Sequence, residues 1–252
     1  MTAPYTREEF LICVLAREFA GCRHIAVGSA GSLHGAAALL AAELSPGTRV
    51  TILGSAAENF FSDGGRELFD AAMQGRIDGF ILGGGQIDGE ANLNFLGTGH
   101  YPSLSVRWPG NFGSPVMYSA VNRVVLFREE HSKRVLVPKV DFISAPGRSP
   151  AGAFRKGGPS ALVTGKCVFS FDRTLHRFVL KSVHPGSTVQ DVLSNTGFEF
   201  SKTEPVPVTP APNDRELSII RDAVARQIAK TYPAFASRAF LPAGEVHESP
   251  HA

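Results

Sequence analysis

The chain has 252 residues, 43% of them hydrophobic, enough to bury a core as one α/β domain or two tightly joined lobes without disulfide staples. Lysine and arginine total 25 against 23 aspartates and glutamates, and a net charge of +2 gives no basis for nucleic acid as the main partner, although local basic pockets stay open. A cytoplasmic protein with no membrane attachment and no metal is expected. No apolar run approaches the roughly 20 residues that span a bilayer, the polar start Met-Thr-Ala-Pro-Tyr-Thr-Arg-Glu-Glu is unlike a signal peptide, and Cys13, Cys22 and Cys167 read as widely spaced small hydrophobes.

Thr6 followed by Glu8 and Glu9 predicts a capped helix start, with an apolar face through Phe10, Cys13, Val14 and Phe19 that ends at Gly21. A strand over 24–27 turns at Gly28-Ser-Ala-Gly-Ser32 into an alanine-rich helix over 33–44, broken by Ser45-Pro46-Gly47. Residues 50–53 read as a buried strand, 68–73 as a helix and 79–82 as a strand. This alternation predicts an α/β fold: a three-layer, open, mostly parallel sheet with helices on both faces.

Residues 123–127 and 134–140 read as strands around the charged turn Arg128-Glu-Glu-His131. The stretch 145–160, rich in glycine, proline and basic residues, predicts a long loop. Residues 162–171 and 177–183 predict a strand pair across Asp172-Arg-Thr-Leu-His176. His184-Pro185-Gly186 then has turn chemistry, Ser187 or Thr188 caps a helix from Val189, and Asn195-Thr-Gly197 stops it. A proline-rich link over 204–212 leads to an Asn213-capped helix over 215–230. The domain is expected to cover residues 1–232, with residues 233–252 as an extended or disordered tail.

Three glycine-rich turns are candidates for chemistry. Gly28-Ser-Ala-Gly-Ser-Leu-His34 offers main-chain amides to an anion, but it is not the dinucleotide fingerprint, and a packing turn is the plainer reading. In the second, Gly83, Gly84 and Gly85 follow a strand and let backbone approach a ligand; Gln86, Asn92 and Asn94 extend this candidate binding set, while Asp88 and Glu90 read as solvated acids of a turn. The third is Arg107-Trp-Pro-Gly-Asn-Phe-Gly-Ser-Pro115. Here Arg107 either orients a carboxylate or faces solvent, and Trp108 either walls a pocket or joins the core.

The stretch Val179-Leu-Lys-Ser-Val-His-Pro-Gly-Ser-Thr-Val-Gln-Asp-Val-Leu-Ser-Asn-Thr-Gly-Phe-Glu-Phe200, with the glycine-rich runs above, resembles the beta subunits of class I coenzyme A transferases over most of residues 5–225. The resemblance implies an acyl-CoA substrate, coenzyme A as part of that substrate with no permanently bound cofactor, and an alpha-subunit partner in an alpha2-beta2 assembly. It places Gly113 and Ser114 where main-chain N–H groups face the thioester oxygen, which gains negative charge during attack. The basic residues Arg148, Arg155 and Lys156 would then either meet coenzyme A phosphates or form a solvated loop.

The family's nucleophile is a glutamate near the end of an early strand. In Arg49-Val-Thr-Ile-Leu-Gly-Ser-Ala-Ala-Glu58, Ser55 stands at that place, and Glu58 comes three residues late, out of reach unless the loop folds back. The chain is similar to the beta subunit of glutaconate CoA-transferase and, in lacking this glutamate, to the small subunit of the CoA-thioester hydrolase of bacterial steroid-ring degradation. Hydrolysis or ring opening is therefore expected, with the catalytic carboxylate supplied by the partner. The alternatives are true CoA transfer through Glu58, or a non-catalytic subunit that completes the partner's pocket. A nicotinamide or flavin oxidoreductase remains as a further enzyme alternative.

Overall fold

The computed structural model describes residues 4–63 and 65–240. In chain order its elements begin α1 (Arg7–Arg17), β1 (His24–Val27), α2 (Ser32–Leu44), β2 (Arg49–Ile52), α3 (Arg66–Met73), β3 (Gly79–Leu82), β4 (Gln86–Ile87) and β5 (Leu93–Asn94). They continue with β6 (Gly97–Gly99), β7 (Leu104–Arg107), α4 (Ser114–Ala120), β8 (Arg123–Arg128), β9 (Pro159–Thr164), β10 (Cys167–Asp172) and β11 (Arg177–Val183). The last are α5 (Val189–Asn195), β12 (Ser201–Lys202), α6 (Asp214–Ile219), a π-helical turn (Ile220–Val224), α7 (Ala225–Ala229) and α8 (Pro233–Ala239). Contacts gather into two units, residues 1–60 with 211–252 and residues 61–210. No helix among the described residues is long and apolar enough to cross a membrane.

In the first unit β1 and β2 run parallel, with Ile25 beside Val50 and Val27 beside Ile52. Thr6 and Glu9 form the reciprocal cap that the sequence predicts, each side chain accepting from the other's N–H. Gly35 lets α2 close on its neighbours, since a Cβ there would lie 2.9 Å from the Ile228 side chain. Two buried acids decide how the C-terminal helices seat on α1. Glu9, fully buried, accepts from Arg221 at 2.7 and 3.0 Å, and Glu216 accepts from Arg17 at 2.8 and 2.6 Å. Each carboxylate tolerates burial only because a guanidinium fork meets it.

An extended tail from residue 233 is not what forms. Pro233 presets the first turn of α8, Phe235 and Ala239 are buried, and Thr6 Oγ1 donates to the Ala239 carbonyl at 2.8 Å. Periodicity is hard to see in so short and alanine-rich a helix. Residues 241–252 lie outside the described residues.

In the second unit the strands lie in the order β12-β11-β10-β9-β8-β3. The pairs β3–β8, β8–β9 and β11–β12 are parallel, and β9–β10 and β10–β11 are antiparallel. With β1–β2, parallel pairing predominates, and the fold is the α/β class that the alternation predicts. Two strand expectations fail. Residues 134–140 form no strand but a loop bonded to β4, with Ile87 N–H donating to Val135 O and Val137 N–H to Ile87 O; Pro138, which has no N–H, follows at once. Residues 162–171 are not one strand but the facing ends of β9 and β10, because Gly165-Lys166 folds the apolar run into a hairpin.

The 179–200 stretch forms β11, a turn and α5, with Thr188 as cap. Its end is an aromatic anchor: Phe200 meets Phe169 edge-on at 5.0 Å, and Phe198 stacks on Phe178 at 5.4 Å. His184 is more than a turn residue. It is buried, with Nδ1 2.9 Å from Thr209 Oγ1 and Nε2 2.9 Å from the Thr164 carbonyl. His131 is likewise buried, between Thr164 Oγ1 at 2.8 Å and Thr196 Oγ1 at 3.0 Å.

Arg221→Ala strands the buried Glu9 charge and should lower the unfolding free energy by about 3 kcal/mol in urea titrations. Burial pulls the His131 pKa down from 6.5 to about 4. Between those values the unfolded chain binds more protons, so stability is full above about 6.5 and falls as pH drops towards 4. Going from pH 7.5 to 5 should cost about 2 kcal/mol through this group, a loss absent from His131→Gln when the two unfolding curves are compared. His34, also lowered by burial, adds a loss of the same sign to both proteins.

Candidate active site

β3 and β8 are parallel neighbours, Leu82 beside Leu126, so the residues that follow them emerge at the same carboxyl edge, where ligands bind in open α/β sheets. Gly83, Gly84 and Gly85 follow β3, and Arg128 ends β8. A Cβ on Gly85 would sit 2.1 Å from the Trp108 ring, so only glycine lets the indole lie against the main chain here. The Trp108 main chain is held by its own N–H, which donates to Leu96 O at 2.8 Å. Gly84, Gly85, Trp108, Gly110, Arg128 and Arg134 line a cavity of about 390 Å³. That volume lies in the roughly 300–1,000 Å³ range of small-molecule sites.

The cavity carries positive charge. Glu130 is shared, bonded by Arg134 Nε at 3.1 Å and lying 3.7 Å from Arg128 Nη2, and the Ser132 hydroxyl, followed by Arg134, holds its carboxyl below the usual carboxylate range. One acid therefore faces two guanidiniums. Arg128 Nε is buried and has no hydrogen-bond partner among the described residues. The Arg128 guanidinium lines the cavity, and such a group suits a carboxylate or carbonyl oxygen of a ligand, since bonds to charged groups contribute about 1.5–3 kcal/mol. The sequence analysis missed Arg128 and Arg134. The one available signal was an arginine closing an apolar strand, Arg128 after Phe127.

The rest of the expected binding set turns inward. Asn94 Nδ2 donates to Gln86 Oε1 at 2.7 Å and to Gly97 O at 2.6 Å, while its Oδ1 accepts from Leu96 N–H at 2.9 Å. Asn92 Oδ1 accepts from Gly147 N–H at 3.0 Å, and its amide donates to Asp88 at 3.1 Å. Gln86, Asn92 and Asn94 thus hold the turn, whereas Gly84 and Gly85 face the cavity. Asp88 is not a solvated acid: it is 5% exposed and accepts from the N–H groups of Glu90, Asn92 and Val140. Glu90 does reach solvent, beside Arg148 at 3.4 Å.

Gly113 precedes α4, and a Cβ there would strike the Phe69 ring at 2.8 Å. Neither its N–H nor that of Ser114 donates a hydrogen bond among the described residues, which leaves both available to an oxyanion. Arg107 is exposed at the end of β7 and makes no ion pair among the described residues. It lies outside the lining of the cavity that its neighbour Trp108 walls.

In the first unit, Ser55 is 4% exposed, and its Oγ accepts from the N–H groups of Ala57 and Glu58 at 3.2 and 3.0 Å and lies 2.8 Å from Thr231 Oγ1. The loop after β2 folds back, bringing Glu58 O to 2.9 Å from Ile52 N. The Gly28 turn is a packing turn, with Ser29 O bonded by the Tyr232 hydroxyl at 2.7 Å and a Cβ on Gly54 excluded at 2.9 Å from the same oxygen. Burial raises the thiol pKa of Cys13, and pushes that of Cys167 up to about 12, so neither is a thiolate nucleophile at neutral pH.

Comparison with known proteins places this arrangement. The chain is 34% identical over 170 residues to the beta subunit of the 3-oxoadipate CoA-transferase of Pseudomonas knackmussii, covering 65% of each chain. It is 30% identical over 164 residues to the IpdB component of the cholesterol ring-cleaving hydrolase of Rhodococcus jostii, covering 63% of this chain and 64% of the relative. Both matches thus span slightly under two thirds of the relative's own length. The crystal structure of Rhodococcus jostii IpdAB superposes with a TM-score of 0.76 at 25% identity, covering 95% of this chain and 100% of that one. A protein-family model for coenzyme A transferase matches residues 11–195, and the chain belongs to that family.

Proposed function

We propose that the chain is the beta subunit of a heteromeric coenzyme A transferase-like enzyme that acts on an acyl-CoA thioester, by hydrolysis or ring opening and not by CoA exchange. The end of β2 carries this reading. Exchange by the covalent route needs a carboxylate that attacks the acyl carbon, releases the CoA thiolate and is then attacked by it. At that place the chain has Ser55, buried, with its oxygen engaged by two main-chain N–H groups and next to Thr231. Water is then the acceptor, and the carboxylate that activates it comes from the partner. The glycine-lined cavity under Trp108 receives the acyl group, the Arg128 guanidinium donates to its oxygen, and the Gly113 and Ser114 amides face the thioester oxygen. Similarity both to a CoA-transferase and to a ring-cleaving hydrolase supports the substrate class.

The fold-back of the loop after β2 favours a second reading. With its main chain beside Ile52, Glu58 is less displaced from the strand end than its place in the sequence implies, and it would act as the nucleophile of true CoA transfer.

Co-purified with its partner, the protein should consume acyl-CoA substrates by adding water without an added carboxylic acid, giving free CoA where the thioester is cleaved and a ring-opened acyl-CoA where a ring is, and no thioester on Glu58 should be trapped by borohydride. Transfer to an acceptor acid, with a borohydride-sensitive adduct that disappears in Glu58→Ala, would establish the second reading and end the first. Under either reading, Arg128→Gln should lower kcat/KM about tenfold to a hundredfold while the urea midpoint stays near that of the wild type. Gly85→Ala, which displaces Trp108, should act mainly on KM.

A further inference from the structure

We propose that the crevice between the loop preceding β9 and the β10–β11 turn binds a phosphate group, held by Arg155 and Arg173. This does not rest on the acyl-CoA reading. The crevice has a volume of about 240 Å³ and is lined by Arg148, Arg155, Arg173 and His176 with no acidic side chain among them or their lining neighbours. It is smaller than the roughly 300–1,000 Å³ of pockets that enclose a whole ligand, and suits the phosphate end of one.

Both guanidiniums are already oriented. Arg155 donates from Nε to Gly157 O at 2.9 Å, from Nη1 to Pro146 O at 2.6 Å and from Nη2 to Tyr118 O at 3.3 Å, with its head over the Tyr118 ring, so that one N–H on each terminal nitrogen remains for a ligand. Arg173 donates from Nε to Pro159 O at 3.0 Å and from Nη2 to Gly158 O at 2.9 Å and to Asn122 O. Gly157 makes this approach possible, since a Cβ there would lie 1.7 Å from Val121 O. Main-chain carbonyls fix the forks without neutralising them. Arg173 Nη1 makes no hydrogen bond among the described residues.

The nearby acids are engaged elsewhere. Asp172 accepts from the N–H groups of Thr174 and Leu175 at 2.8 and 2.9 Å, and Glu90 lies beside Arg148. Holding a loop to carbonyl groups requires donors, which neutral amides supply; it does not require two cations at one crevice. Burial, and the charge of Arg173 with it, lowers the Arg155 pKa, the mark of a guanidinium without a counter-anion. His176, held at a φ of 50° in the turn, adds a ring nitrogen at the rim. Two forked donors at one small concavity match the several acceptor oxygens of a phosphate better than one carboxylate.

The phosphate is either free or carried by a nucleotide, as on the ribose of coenzyme A. Calorimetry of the full chain with inorganic phosphate and with adenosine 3′,5′-bisphosphate, at constant ionic strength against chloride, should show binding that Arg173→Gln weakens at least tenfold. Tighter binding of the nucleotide identifies a nucleotide phosphate as the ligand, and equal binding a free phosphate. Because Arg173→Gln also loosens the loop, phenylglyoxal labelling of the wild-type protein provides a second reading: inorganic phosphate should slow modification of Arg173 but not of exposed Arg107. No binding of either probe, unchanged affinity in Arg173→Gln, or unprotected Arg173 would overturn the proposal.

Discussion

Residues 129–158 contain no helix or strand, and the second unit depends on how their main-chain polar groups are satisfied. Buried N–H groups must find acceptors, and outside a sheet ladder these are side chains, single main-chain carbonyls or water. The β4–β5 turn supplies them. Asp88 accepts from Val140 N–H, Gln86 Oε1 from Asp141 N–H and Asn92 Oδ1 from Gly147 N–H, while Leu93 exchanges main-chain bonds with Ala145. The Tyr118 hydroxyl closes the turn from the opposite side on Ala91 O, and Ala91 has a φ of 59°. An irregular segment of this length is ordinarily mobile or functional. Here a short polar hairpin fixes it, and both positively charged concavities border it.

Those concavities treat their arginines differently. Around Trp108, Glu130 lies between Arg134 and Arg128, one acid for two cavity-lining guanidiniums, and Arg128 Nε has no hydrogen-bond partner among the described residues. In the smaller crevice, main-chain carbonyls orient Arg155 and Arg173 and no acid intervenes. In the first unit, by contrast, Arg17 and Arg221 meet buried carboxylates in full. The contrast separates arginines neutralised within the fold from those that line a concavity without a full counter-charge. Carbonyl contacts orient a guanidinium while preserving its charge; carboxylate contacts cancel it.

The 179–200 stretch is informative about family because it is constrained by packing. Phe198 and Phe200 fill a cluster with Phe169 and Phe178, Gly197 N–H donates to Leu136 O at 2.7 Å, and His184 bridges Thr164 and Thr209. A Cβ on Gly89 would crowd Phe198 at 3.1 Å, so the stretch also seats against the β4–β5 turn. It positions the site without contributing chemistry to it. Ser55 has the same character in the first unit, where its oxygen caps the turn after β2.

Helix caps at Thr6, Thr188 and Asn213, the strands at 24–27 and 79–82, and the α/β alternation were all legible in the chain, because caps and periodicity are set by neighbours within a few residues. The Gly83 run was legible as a place where the backbone is closely approached, as Gly85 under the Trp108 ring is, because glycine clusters after strands mark such approach. Other features depended on residues distant in sequence. Asp88 became buried where Val140 N–H reached it, residues 134–140 left the strand state because β4 took their hydrogen bonds, and Arg128 came to line one cavity with Gly84 and Gly85 because β3 and β8 lie side by side. Sequence alone determined local geometry and family. Tertiary structure decided which polar atoms are satisfied and which are left without a partner among the described residues, because hydrogen-bond partners and burial are properties of the packed chain.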